Sequence, residues 1–176
     1  MKDILELLHK IGELKDVKRK GWVLKKVPSP ESVADHSFRI SVMALLLAED
    51  FDLDKDKCIQ MALIHDIAEA IVGDITPHDN ISTNEKHELE EKAIKSMFKD
   101  LGKNDLIELW LEYKEQRSPE AKFIKELDKI ETILQTSEYE QKYPQLNLSE
   151  FWPDTESKIK DPRLIEIFNL LKEKRQ

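Results

Sequence analysis

Apolar residues recur along this chain at intervals of three and four, and no segment keeps the two-residue alternation of a half-buried strand. Between Asp3 and Leu14 the residues Ile4, Leu7, Leu8, Ile11 and Leu14 make one helical stripe. Gly21 and the Pro28-Ser29-Pro30 cluster interrupt the pattern, so residues 15–30 read as a basic, irregular connector. A second helix is expected from Glu31 or Ser32 to about Asp50, with His36 on its buried face beside Val33, Ile40, Met43, Ala44 and Leu47. A third is expected after Asp54, its capping residue, running unbroken to about Ile71–Gly73. Residues 73–80 read as a loop. Further helices are expected over about 82–101, 105–116, 118–140 and 162–174, with Pro119 in a first turn after Ser118. Phe151-Trp152-Pro153 reads as a short packed connector. The architecture implied is all-α, a single-domain helical bundle over residues 1–176.

Composition narrows the setting. A hydrophobic share of 40% beside a charged share of 36% fits a globular chain with a solvated surface and argues against disorder. The net charge of -8 lacks the field that draws a protein to a nucleic-acid polymer or an anionic membrane. It leaves room for a small phosphorylated ligand, because a local cation can reverse the potential inside a pocket. Cys58 is the single cysteine and has no internal partner, no apolar run approaches a membrane span, and the N-terminus lacks a signal-peptide core. A cytoplasmic protein is the expectation.

The dipeptide His65-Asp66 stands inside the apolar stretch Ala62-Leu63-Ile64-His65-Asp66-Ile67-Ala68. Burying an imidazole beside a carboxylate is costly without compensation, and a divalent cation satisfies both. Glu69 follows His65 by four residues, which on an unbroken helix puts both on one face. His36 and Asp128 are two further polar residues on apolar faces, the latter beside Ile124, Leu127, Ile130 and Leu134. Taken singly, each is more often a satisfied core residue than a ligand. Mixed imidazole and carboxylate ligation with open positions favours Mn, Co, Fe, Ni or Mg and a site that does chemistry.

In their order along the chain these residues resemble the HD-domain superfamily, whose pattern is H…HD…D, and its small 5'-deoxynucleotidase-like branch. The likeness rests on Arg19-Lys20-Gly21-Trp22, residues 30–39, His65-Asp66-Ile67-Ala68-Glu69-Ala70, Gly73-Asp74-Ile75-Thr76-Pro77, Glu85-Lys86-His87 and Glu126-Leu127-Asp128-Lys129, followed by Ile133-Leu134-Gln135 and Glu138-Tyr139-Glu140. It covers about residues 19–140, with the C-terminal helix expected to pack on that core. The resemblance implies a metal-dependent phosphomonoesterase that acts on deoxyribonucleoside 5'-monophosphates, needs one divalent cation, and usually works as a homodimer, with ribonucleoside 5'-monophosphates also open as substrates.

Carried over residue by residue, it makes His36, His65, Asp66 and Asp128 the metal ligands. Glu69 becomes the general base or water-orienting group, and Asp74 a partner that orients water or handles the leaving-group proton. Arg19 is the expected phosphate clamp, since guanidinium is permanently charged and grips two oxygens at once. Trp22 is the expected wall of the sugar pocket; a core aromatic is the commoner fate of the residue type. In some relatives the arginine and tryptophan are adjacent, whereas Lys20 and Gly21 intervene here. His78 and His87 are expected to face solvent, and His9 and Cys58 to be structural. Other classes remain open on the residues alone: a hydrolase for another phosphate ester, a non-catalytic metal or nucleotide sensor, or an oxidative di-iron enzyme.

Overall fold

The computed structural model describes residues 1–175 and contains ten α-helices among them. They are α1 (Lys2–Gly12), α2 (Lys20–Leu24), α3 (Val33–Leu47), α4 (Lys55–Ile64), α5 (Glu69–Val72), α6 (Thr83–Phe98), α7 (Asn104–Glu115), α8 (Pro119–Lys142), α9 (Phe151–Glu156) and α10 (Pro162–Lys174). Among the described residues, extended pairing is limited to one isolated bridge between Lys18 and Ser32. The all-α expectation therefore holds.

Half of the ten helices are capped at their start by a local side chain. Ser32 accepts from the Asp35 amide while Asp35 reaches back to the Ser32 amide, a reciprocal cap that fixes the first turn of α3. Ser82 and Glu85 repeat it on α6, and Asp54 and Ser118 cap α4 and α8.

Three expectations are corrected. The connector over residues 15–30 contains the helix α2, whose first amide, on Lys20, donates to Asp74 Oδ2 at 2.7 Å. That carboxylate lies 54 residues away and does the work of a local cap. Phe151-Trp152-Pro153 opens the short helix α9, where proline is tolerated because first-turn amides need no helical acceptor. The third helix is not continuous: α4 stops at Ile64, His65–Ala68 form a turn, and α5 begins at Glu69. The cause is side-chain competition for carbonyls. His65 Nδ1 bonds the Ala62 oxygen at 2.7 Å, and Trp110 Nε1 donates to the His65 oxygen at 3.2 Å. Both carbonyls would otherwise serve an uninterrupted helix.

Two large apolar cores result, beside a smaller cluster of Trp22, Val27, Tyr139 and Leu148. One joins α3, α4, α8 and α10 through Ile40, Met61, Ile124, Leu127 and Phe168. The other joins the α4–α5 turn, α5, α6 and α7 through Ile67, Ala70, Ile94, Met97 and Trp110. His36 lies between Val33 of the second core and Ile40 of the first, and His65 follows Met61 and Ala62 of the first and precedes Ile67 of the second. The polar centre occupies this seam.

Candidate metal centre

His36 and His65 are buried and their rings lie 5.6 Å apart. A carbonyl oxygen only accepts, so His65 Nδ1, bonded to Ala62, carries the hydrogen and Nε2 presents a lone pair. His65 Nε2 is 3.1 Å from Asp66 Oδ2, and His36 Nε2 is 3.8 Å from the same oxygen. Asp128 Oδ1 is 3.2 Å from His36 Nε2 without the alignment of a hydrogen bond. Donor atoms of His36, His65 and Asp66 lie within 4.8 Å of one another, the spacing of ligands around one ion. Both Nε2 atoms are buried and lack a hydrogen-bond partner, which a cation would remedy. The four residues singled out in the sequence thus converge from α3, the α4–α5 turn and α8.

Cationic neighbours already hold the carboxylates of this centre in their charged form. Burial opposes ionisation of Asp66 and Asp128, yet both are held below the usual carboxylate range, Asp66 by His65 and His36, and Asp128 by Lys129 and His36. Burial and Arg19 oppose charge on His36, but Asp128 and Glu131 outweigh them and push its pKa up to about 9. Arg19 lies 3.7 Å from Asp66 and 3.9 Å from Asp128, and its Nη2 donates to Thr132 Oγ1 at 3.3 Å. Burial disfavours its charge, and Asp128, Asp66 and Asp74 more than restore it.

Glu69 is buried at the start of α5, with Oε2 lacking any partner. Burial, then the negative charges of Asp66 and Asp74, raise its pKa well above the ordinary value. It reaches this neighbourhood through the turn and not along a shared helix face, which replaces the spacing argument made from the sequence. Asp74 stands in the loop after Gly73, whose φ of 73° lies in the region that favours glycine. Trp22 is 2% exposed, packed at 5.3 Å from Tyr139 and 4.6 Å from Phe151, with Nε1 donating to Glu31 at 2.8 Å. It is chiefly a core residue, with contact to the adjoining cleft. That cleft, about 760 Å³, is lined by Arg19, Trp22, Asp74, Lys129, Thr132 and Phe151 among others.

His78 is exposed, while His87 is half-buried and stacks on Trp110 at 5.7 Å. Cys58 is a buried free thiol, and His9 lies exposed on α1, away from the structural role expected of it. Sequence reasoning missed Glu131 and Arg39. Glu131 is fully buried three residues beyond Asp128 and contacts His36 Nδ1, and Arg39 Nε donates to it at 2.9 Å. The signal was available: Glu131 follows Ile130 in the same apolar stripe that marked Asp128. No helix of the described residues is long and apolar enough to cross a membrane.

Two imidazoles and two carboxylates gathered at the seam of a helical bundle make a candidate metal centre of the HD type. The chain belongs to the HD domain family, matching it over residues 11–167. It is 45% identical over 179 residues to human 5'-deoxynucleotidase HDDC2, covering 99% of this chain and 87% of that protein. The 5'-deoxynucleotidase hdd1 of Schizosaccharomyces pombe is 40% identical over 156 residues, covering 84% of this chain and 78% of its own length. Among solved structures, the PH0347 protein of Pyrococcus horikoshii superposes with a TM-score of 0.82 at 34% identity, covering 95% of this chain and 97% of that one.

Proposed function

We propose that this chain is a metal-dependent 5'-deoxynucleotidase that releases phosphate from deoxyribonucleoside 5'-monophosphates, with residues 1–176 forming one HD domain. The observation that carries the reading is the pair of buried, unpartnered Nε2 atoms facing Asp66 and Asp128 beside Arg19. His36, His65, Asp66 and Asp128 hold one divalent cation. When bound, that cation supplies Lewis acidity and makes a water molecule acidic enough to attack near neutral pH.

The chain's own groups do the rest. Glu69 accepts the proton of the attacking water at Oε2, the buried oxygen with no other partner. Arg19 grips the phosphoryl oxygens, its guanidinium already aimed at the metal ligands. Asp74, at the cleft wall, handles the leaving group's proton while its Oδ2 anchors α2. Trp22, on the same wall and locked by Glu31, limits the room beside the sugar.

Phosphate release from deoxyribo- and ribonucleoside monophosphates, with Mn, Co or Mg and with a chelator, tests the reading. Release from the deoxy series that the chelator abolishes is the expected result. No release from any nucleotide with any metal would overturn it. Homodimer formation, implied by the family resemblance, and cytoplasmic residence, read from the sequence, belong to the same proposal, and light scattering of the purified chain and imaging of a tagged copy test them.

A further inference from the structure

Glu131 belongs to neither the cleft nor the cation's ligand set, yet its carboxylate is fully buried between Ile130 and Ile133 on α8. An ionised group in such a place is costly unless every oxygen is bonded, and an apolar residue would fold more cheaply there. Its bonds run one way. One oxygen meets His36 Nδ1, and the other accepts from Arg39 Nε at 2.9 Å. Arg39 is fixed in turn by Glu138, which takes Nη1 at 2.8 and 2.9 Å, and by Gln135, which takes Nη2.

We propose that Glu131 is a positioning residue for the metal centre: it holds the hydrogen of His36 on Nδ1, so that Nε2 aims its lone pair at the point shared with His65 and Asp66. Arg39 keeps the carboxylate oriented. The inference rests on the reading of His36 as a metal ligand. Glu31, His36 and Glu131 are also close enough to hold an ion themselves. Arg39 argues against that use, because its guanidinium stands 2.9 Å from Glu131 and 3.8 Å from Glu31 and supplies the positive charge already. A carboxylate that orients a ligating histidine is worth roughly 10- to 100-fold in metal affinity.

The test is a Mn titration followed by electron paramagnetic resonance on the full chain, comparing the native protein with His65→Ala, Glu131→Gln and Glu131→Ala. Nitrogen-15 chemical shifts of the His36 ring in chelated protein, recorded at alkaline pH where the ring is neutral, give a readout independent of turnover. Glu131→Gln keeps the shape but offers one acceptor oxygen where two donors meet. The expected result is about a 10-fold or greater loss of Mn affinity with a His36 ring no longer held as the Nδ1–H tautomer. A folded Glu131→Gln protein with native affinity and an unchanged tautomer overturns the proposal, even if Glu131→Ala fails to fold. Native protein that binds no Mn, like His65→Ala, overturns the metal-centre reading instead, while the His36 tautomer still reports on Glu131.

Discussion

His36 and Asp128 stand on α3 and α8, helices of 15 and 24 residues, whereas His65 and Asp66 come from a four-residue turn, Glu69 from the first position of a four-residue helix, and Asp74 from a loop. The helical side is braced from behind: His36 Nδ1 to Glu131, Glu131 to Arg39, Arg39 to Glu138, with His36 Nε2 left without a partner. The turn side keeps unmet bonding capacity in both His65 Nε2 and Glu69 Oε2, and neither is braced by such a chain of ion pairs. Rigid helices hold their ligands whether or not a substrate is near. A turn sets side chains at angles a helix forbids and leaves atoms free to react. We therefore expect the turn side to carry the chemistry and the helical side to carry precision.

The sharpest way to break this comparison is His65→Ala or Asp66→Ala. Each removes a ligand from the turn, and metal retention and turnover should be lost together, with activity at background. Metal content by atomic emission beside the phosphate assay checks it; a variant that keeps both would remove the turn from the centre. Glu69→Gln should separate the two, retaining the cation and losing about 10²- to 10⁴-fold in kcat. Near-native kcat there would move the proton acceptor elsewhere.

Which parts were legible in the sequence follows the same division. Ser32, Asp54, Ser82 and Ser118 cap their own helices within three residues, so the starts of α3, α4, α6 and α8 could be read directly. His36 and Asp128 were visible as polar intrusions on apolar stripes. The start of α2 depends on Asp74 and the end of α4 on Trp110, partners 54 and 45 residues away, and no local window contains them. Glu131 is a mixed case: its place on the apolar stripe of α8 is local, but its partners His36 and Arg39 stand 95 and 92 residues away on α3.

A smaller effect is expected from Arg19, which borders both sides through Asp66 and Asp128. Arg19→Ala should lower kcat/KM by about 10- to 100-fold, the worth of one or two charge-assisted hydrogen bonds, mostly through KM. An unchanged KM would take it out of the substrate site.

The pH dependence of stability isolates the helical side. His36 has its folded pKa pushed up from 6.5 to about 9, so the protonated ring stabilises the chelated protein. That contribution is whole below about pH 6.5 and is lost as pH rises through about 9. Melting temperature in EDTA should therefore fall across this window, while Mn affinity rises because a proton must leave before the cation binds. A flat melting profile between those limits would mean that His36 is not charged beside Asp128 and Glu131.

The smallest effect supplies the baseline for the others. Ser82 caps α6 with Glu85, on a helix that contributes none of the proposed ligands, and its hydroxyl accepts from the Glu85 amide at 3.2 Å. Ser82→Ala should cost about 1 kcal/mol, the typical worth of an N-cap. In a domain of this size that is a drop of roughly 2–4 °C in Tm. Because Ser82 is exposed and its side chain bonds only within its own first turn, kcat, KM and Mn affinity should stay native. If this remote cap lowered activity as much as Arg19→Ala, the turn side would be responding to general loosening of the bundle. The contrast between reactive turn and rigid helix would then have to be redrawn as a difference in local stability.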